Sequence, residues 1–205
     1  MTPRPYKLGR RQVTTDRTRA RILRAARALL TAKRGSEPFS LDAVARRAGV
    51  ARMTVYYQFG SRRQLMEALF DSFAEGGELP AHIGAALSQS DPEDALAGIV
   101  AAFARFWDAG RPWIRRVRAL GVLDRELGEA LEARNARRRH VVRALLDRLR
   151  ESQGKQQRPE IEEVLYTLTS FETFDTLAGP QRSLEDVAPV VLRLARAALG
   201  VAADW

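Results

Sequence analysis

The sequence predicts an all-α protein in two parts, an N-terminal three-helix domain built on a helix-turn-helix and a larger C-terminal helical bundle. Three observations carry this reading. Apolar residues recur three and four apart through most of the chain, the spacing of one buried face on a helix. The stretch from Ser40 to Gly60 holds two short stripes of this kind separated by Gly49, a residue suited to ending one helix and turning into the next. Basic charge is concentrated ahead of residue 70: residues 1–70 hold sixteen Lys and Arg against four Asp and Glu, and residues 71–205 hold eighteen against twenty-one.

Leu41, Val44, Ala45 and Ala48 form the first stripe, with Asp42, Arg46 and Arg47 on the other side of the same short helix. Val50 follows the glycine as an apolar plug, and Val55 and Phe59 open the second stripe. Rotating about 100° per residue from these two, Met53 and Tyr57 point away from the core and Tyr56 and Thr54 lie on the flanks. Arg52, in the first turn, is long enough to reach outward. An exposed thioether and two phenols on so short a helix suit a surface that lies in a DNA major groove. Met or Thr methyls pack on thymine, Arg forks onto guanine and Tyr hydroxyls donate to phosphate. Ser40, the cap of the first of these helices, is placed with them among the candidate DNA contacts.

The run Gly49-Val50-Ala51-Arg52-Met53-Thr54-Val55-Tyr56-Tyr57-Gln58-Phe59-Gly60-Ser61-Arg62, followed by Leu65, resembles the signature of TetR-family transcriptional regulators. With the helices before it, the likeness covers about residues 15–70. It implies a homodimer whose N-terminal helices bind double-stranded operator DNA and whose C-terminal domain senses a small-molecule effector. It places Arg52, Met53, Thr54, Tyr56, Tyr57 and Gln58 in the reading helix. It also puts Arg62 where the family usually has a phosphate-contacting lysine. Two positions depart from the pattern: Ala51 stands where a capping serine is common, and Met53 replaces a smaller residue.

With 45% apolar and 29% charged residues the 205-residue chain has an ordinary globular composition. No apolar run is long enough to span a membrane and no export signal is visible, so a cytoplasmic protein without membrane insertion is expected. The absence of cysteine excludes disulfides, thiolate metal sites and cysteine nucleophiles. The basic N-terminal third is the electrostatic footprint of phosphate binding.

Along the chain, residues 1–14 are expected as a flexible basic arm and residues 15–60 as the DNA-binding domain. Thr14 or Thr15 would cap a first helix whose stripe is Ile22, Leu23, Ala26, Leu29 and Leu30, ending by Gly35 and Pro38. Residues 61–205 form the sensing and dimerisation domain. Ser61 caps a helix carrying Leu65, Leu69 and Phe73, an element that touches both domains. Residues 76–90 read as a loop or short helix. Asp91-Pro92-Glu93-Asp94 starts a helix that Gly110-Arg111-Pro112 breaks, and a shorter one runs to about Gly121. A long helix follows from Asp124 to Gln153, with Arg134, Asn135 and Arg138 on its apolar stripe. Another starts at Pro159-Glu160 and carries Ile161, Val164, Leu165, Leu168 and Phe171 on into Glu172 and Asp175. Ser183-Leu184-Glu185-Asp186 caps the last, which buries Leu184, Val187, Val190, Leu194 and Ala198, with Pro189 bending it. The resemblance implies that the last two helices pair with their copies in a second subunit.

If the bundle encloses a ligand, Phe103, Phe106, Trp107, Trp113, Phe171 and Phe174 are its candidate aromatic lining. Asn135, Arg138 and Asp175 are the candidate polar contacts. Aromatics at helical spacing also serve simply as core, and the arginines with Glu172 and Asp175 also read as ion pairs between helices or as a dimer seam. No motif for a metal, phosphate or other cofactor is present, and neither His82 nor His140 has a nucleophile or carboxylate at a catalytic spacing. The leading function is a ligand-released repressor. A DNA-binding regulator or architectural protein without a small ligand, and an enzyme with a DNA-binding appendage, are the alternatives.

Overall fold

The computed structural model describes residues 8–32, 39–153 and 160–200, and among them there are ten α-helices and no strand. The first, α1 (Leu8–Thr31), starts earlier than its sequence suggests. Residues 1–7 lie outside the described residues, but residues 8–14, expected within a flexible arm, are the first turns of this helix. Once Ile22, Ala26 and Leu30 are buried, each residue added upstream gains a hydrogen bond without the cost of nucleation. The expected helix end at Gly35 and Pro38 lies outside the described residues.

The short helices α2 (Leu41–Ala48) and α3 (Arg52–Phe59) form the helix-turn-helix. Ser40 Oγ accepts from the Ala43 backbone N–H at 3.1 Å. At the other end Gly49 adopts φ 62° and donates to Arg46 O, while Val50 donates to Ala45 O. This pair of bonds closes the helix and requires the left-handed conformation that glycine adopts at least cost. Ala51, at the N-terminus of α3, makes no side-chain capping bond. Val44, Val55, Ile22 and Leu65 are fully buried, so α1, α2, α3 and the first turns of α4 (Arg62–Gly76) share one core.

The rest of the chain forms the bundle: α5 (Leu79–Leu87), α6 (Pro92–Leu123), α7 (Arg125–Gln153), α8 (Ile161–Leu168), α9 (Phe171–Ala178) and α10 (Ala188–Leu199). The expected break at Gly110-Arg111-Pro112 does not occur, and α6 runs through it for 32 residues. A proline inside a helix costs about 3 kcal/mol. Here Trp107, Trp113, Ile114 and Val117 on both sides of it are buried, and their packing outweighs that cost. Gly110 is a contact rather than a hinge. A Cβ there would lie 2.4 Å from the Phe73 ring, so the glycine lets α4 approach α6.

Conversely, the helix expected to run from Pro159 through Phe171 is two helices, parted at Thr169 and Ser170. Other groups occupy the break. Ser170 Oγ accepts from Thr173 N to cap α9, Trp107 Nε1 donates to Thr169 O at 3.1 Å, and Arg138 donates to Tyr166 O and Thr169 Oγ1. The last helix likewise differs. Ser183 and Asp186 make the reciprocal backbone bonds of a capping box, but α10 begins at Ala188, so Pro189 sits in its first turn rather than at a bend. Leu184 and Val187 are buried as expected, whereas Leu194 is exposed and Val191 and Ala195 take the inward positions. No described helix is long and apolar enough to cross a membrane.

Gly110→Ala and Gly84→Ala should move stability in opposite directions. The first gains helix propensity but meets the Phe73 ring, for a net loss of about 1 kcal/mol. The second, in open space on α5, should gain about 0.5–1 kcal/mol. Urea unfolding of the two variants beside wild type checks the pair.

Candidate nucleic-acid interface and sensor cavity

The outer side of α3 presents what the helical rotation predicts. Val55 and Phe59 are buried, while Tyr57 is 80% exposed and Met53 and Tyr56 about half exposed. The two tyrosine rings meet edge to face, with centroids 6.4 Å apart. Arg52 is exposed and lies 3.4 Å from Asp42, a pairing weak enough to exchange for another partner. Thr54, Gln58 and Ser40 are half-buried. Arg19 of α1 holds the end of α3 in place: it donates to Gln58 O at 3.1 Å and its guanidinium lies 4.4 Å from the Phe59 ring centroid.

Arg62 departs from expectation. It does not extend toward a DNA surface but turns to the corner between α6 and α7. Its guanidinium grips Asp124 with two bonds, donates to Glu126 Oε2 at 3.1 Å and, through Nε, donates to Phe39 O at 3.1 Å. A bidentate carboxylate pair is among the stronger charge-assisted contacts, which is why the side chain prefers this site to solvent. The pairing continues along α4. Arg63 bonds Glu129 at 3.1 Å, and Arg134 and Arg137 of α7 both reach Asp71, at 2.5 and 2.7 Å. Hydrogen bonds from these arginines, opposed by partial burial, hold the Asp71 and Asp124 carboxyls below the usual carboxylate range.

Between α4, α5, α6 and α7 lies a cavity of about 340 Å³. Of the residues the sequence proposes for it, Phe103, Phe106, Trp107, Trp113, Asn135 and Arg138 line it. Three do not. Phe171 packs edge-on against Trp107, Phe174 is fully buried elsewhere, and Asp175 pairs with Arg111 at 2.7 Å and Arg115 at 2.8 Å. The break before α9 turns these residues off the line of the α8 stripe. The acid partners expected for Arg134 and Arg138 are therefore taken by α6, with Glu172 on Arg118 and Asp175 on Arg111 and Arg115. Phe70 and Phe73 of α4, Leu79 and Ile83 of α5, and Arg118 are among the other residues of the wall. Arg118 stands four residues after buried Ile114, so helical spacing alone could have placed it inward. The α4 and α5 contribution has no such signal, because it depends on how those helices cross α6.

A helix-turn-helix with its outer side in solvent, packed through α1 and α4 on a bundle that holds a cavity, is the architecture of a helical DNA-binding regulator. Residues 22–69 match the family described as bacterial regulatory proteins, tetR family. The chain is similar in fold to the TetR family transcriptional regulator PfmR from Thermus thermophilus, with 23% identity over 90% of this chain and all of that one, at a TM-score of 0.59. It is also similar to Salmonella enterica GusR, with 22% identity over 90% and 96% of the two chains at a TM-score of 0.63. A third likeness is to SmeT in a triclosan complex, with 17% identity over 89% and 91% at a TM-score of 0.63. No curated protein sequence matches the chain. Residues 22–69 thus carry the helix-turn-helix domain of the tetR family, and the chain as a whole shares the fold of these solved structures.

The Arg62–Asp124 contact has a pH signature. Asp124 titrates below its unfolded value, near 3.9, so its contribution is fully present above that value and is lost as pH falls through the lower folded one. Asp124→Asn should cost about 1 kcal/mol at neutral pH, since both side chains are partly solvated. The gap between wild type and variant should hold down to about pH 5 and close below about pH 4. Thermal melts of both proteins across that range measure it.

Proposed function

We propose that the protein is a cytoplasmic, homodimeric regulator that binds operator DNA when empty and is released by a small lipophilic or aromatic molecule held in the bundle. One observation carries this: α4 is a wall of both sites. Its Leu65 and Met66 are buried at the end joined to the DNA-binding domain, and its Phe70, Asp71 and Phe73 line the cavity. A ligand that changes where Phe70 and Phe73 sit would move the base of the reading helix. Ligand and operator affinities would then be coupled reciprocally. The SmeT–triclosan complex supports the reading, since a protein of this fold forms a complex with a small aromatic molecule.

On this reading Arg52, Met53 and Thr54 face base edges, Tyr56, Tyr57 and Gln58 serve the backbone and flanking bases, and Ser40 sits beside the phosphates at the start of α2. Exposed Val164 on α8 and Leu194 on α10, 38% and 44% accessible, lie on packed neighbouring helices and suit a two-fold interface with a second copy. Such a dimer presents two reading helices to a near-palindromic site.

Fluorescence anisotropy on DNA from upstream of the protein's own coding sequence tests this. Tyr57→Ala should weaken binding about tenfold with an unchanged melting temperature, because the ring contacts little of the protein. Lipophilic compounds titrated into the complex should release the DNA. Binding that survives every compound argues for a regulator without a small ligand.

A further inference from the structure

The charge around the cavity is unbalanced. Arg118, Arg134, Arg137 and Arg138 line it against two carboxylates, Asp71 and exposed Glu75. Asp71 is taken by Arg134 and Arg137, and Glu172, behind the wall, by Arg118. Among the described residues Arg138 has no carboxylate partner. It is 6% exposed, donates through Nη1 to Tyr166 O and to Thr169 Oγ1 at 3.1 Å, and stacks 3.9 Å from the Tyr166 ring centroid. Its Nε is shielded from solvent and donates to nothing in the protein, and the same holds for the Nε of Arg118 and the Nε1 of buried Trp113.

Burial, with the nearby Arg118 charge adding to it and Tyr166 and the more distant Glu172 opposing it, lowers the Arg138 pKa to about 10, so the group is still cationic at neutral pH. A buried cation without a counter-ion is unfavourable, and guanidinium and indole N–H groups can only donate. The site therefore lacks an acceptor that bears negative charge. The rest of the wall is aromatic and aliphatic, which a small hydrated anion would not fill.

We infer that the cavity binds a lipophilic anion, its charged head beside the guanidinium groups of Arg138 and Arg118 that line the wall and its apolar body against Phe103, Phe106 and Trp113. This rests on the sensor reading above and narrows it to one class of ligand. A neutral ligand of the same shape fills the apolar part but leaves the Arg138 charge unmatched, and a cation adds to the imbalance.

The test is calorimetric titration of the full-length protein at neutral pH with three probes of equal chain length: decanoate, decanol and decylamine. Decanoate should bind at least about tenfold more tightly than decanol, and decylamine not measurably. Arg138→Gln and, as a second variant should that one fail to fold, Arg118→Gln should erase most of the decanoate preference while leaving decanol binding within a few-fold. Equal binding of decanol and decanoate to wild type overturns the anion assignment and leaves the sensor reading standing. The same holds if decylamine binds best. A decanoate preference that survives in both folded variants overturns the placement at these arginines. Binding of none of the three removes the sensor reading together with the inference.

Discussion

The pairing of Arg62 with Asp124 joins the first turn of α4 to the corner where α6 meets α7. Everything that follows in the structure depends on α4 being held this way. It packs against α1 and α3, so the angle at which it leaves the domain sets where the reading helix stands. Its C-terminal half supplies Phe70 and Phe73 to the cavity, and Asp71 receives two arginines from α7. A helix fastened at both ends and packed along its length moves as one body, and displacement at either end is felt at the other.

The fastening is made largely of arginine. α7 presents Arg134, Arg137, Arg138, Arg139 and Arg143 to neighbouring helices, and all but Arg138 bond a carboxylate. Glu162 receives Arg139 and Arg143, and Asp175 on α9 receives Arg111 and Arg115 from α6. Most of these pairs are partly solvated and add little stability individually. Their arrangement matters more, because a bidentate fork fixes the relative rotation of two helices where apolar contact alone would allow sliding. Arg138 stands apart from the network and fills the break between α8 and α9 with its hydrogen bonds.

Much of this was legible in the residue order. The faces of α2 and α3, the Gly49 corner, the Ser40 and Ser61 caps and the unbroken length of α7 follow from spacing and capping chemistry, which act over one or two helical turns. The failures share a different cause. Pro112 reads as a helix breaker because the sequence shows its local cost and not the buried tryptophans on either side that override it. The α8 stripe reads as continuous into Phe171 because nothing local announces that Trp107 and Arg138 will satisfy a break at Thr169. The pairing of Arg62 with Asp124 is likewise invisible locally, because the acceptor is 62 residues away.

The sequence by itself determined that this is an all-helical chain with a basic N-terminal third, which faces of α2 and α3 are buried, and which aromatic side chains are buried in the bundle. Only the tertiary structure decided which charges meet. That left Arg62 as a tie between domains, Asp175 as a brace outside the cavity, and Arg138 as a buried cation that forms no salt bridge among the described residues. The reason is physical: helix faces are set by backbone geometry within a few residues, whereas the partner of a long, flexible arginine is set by how whole helices cross.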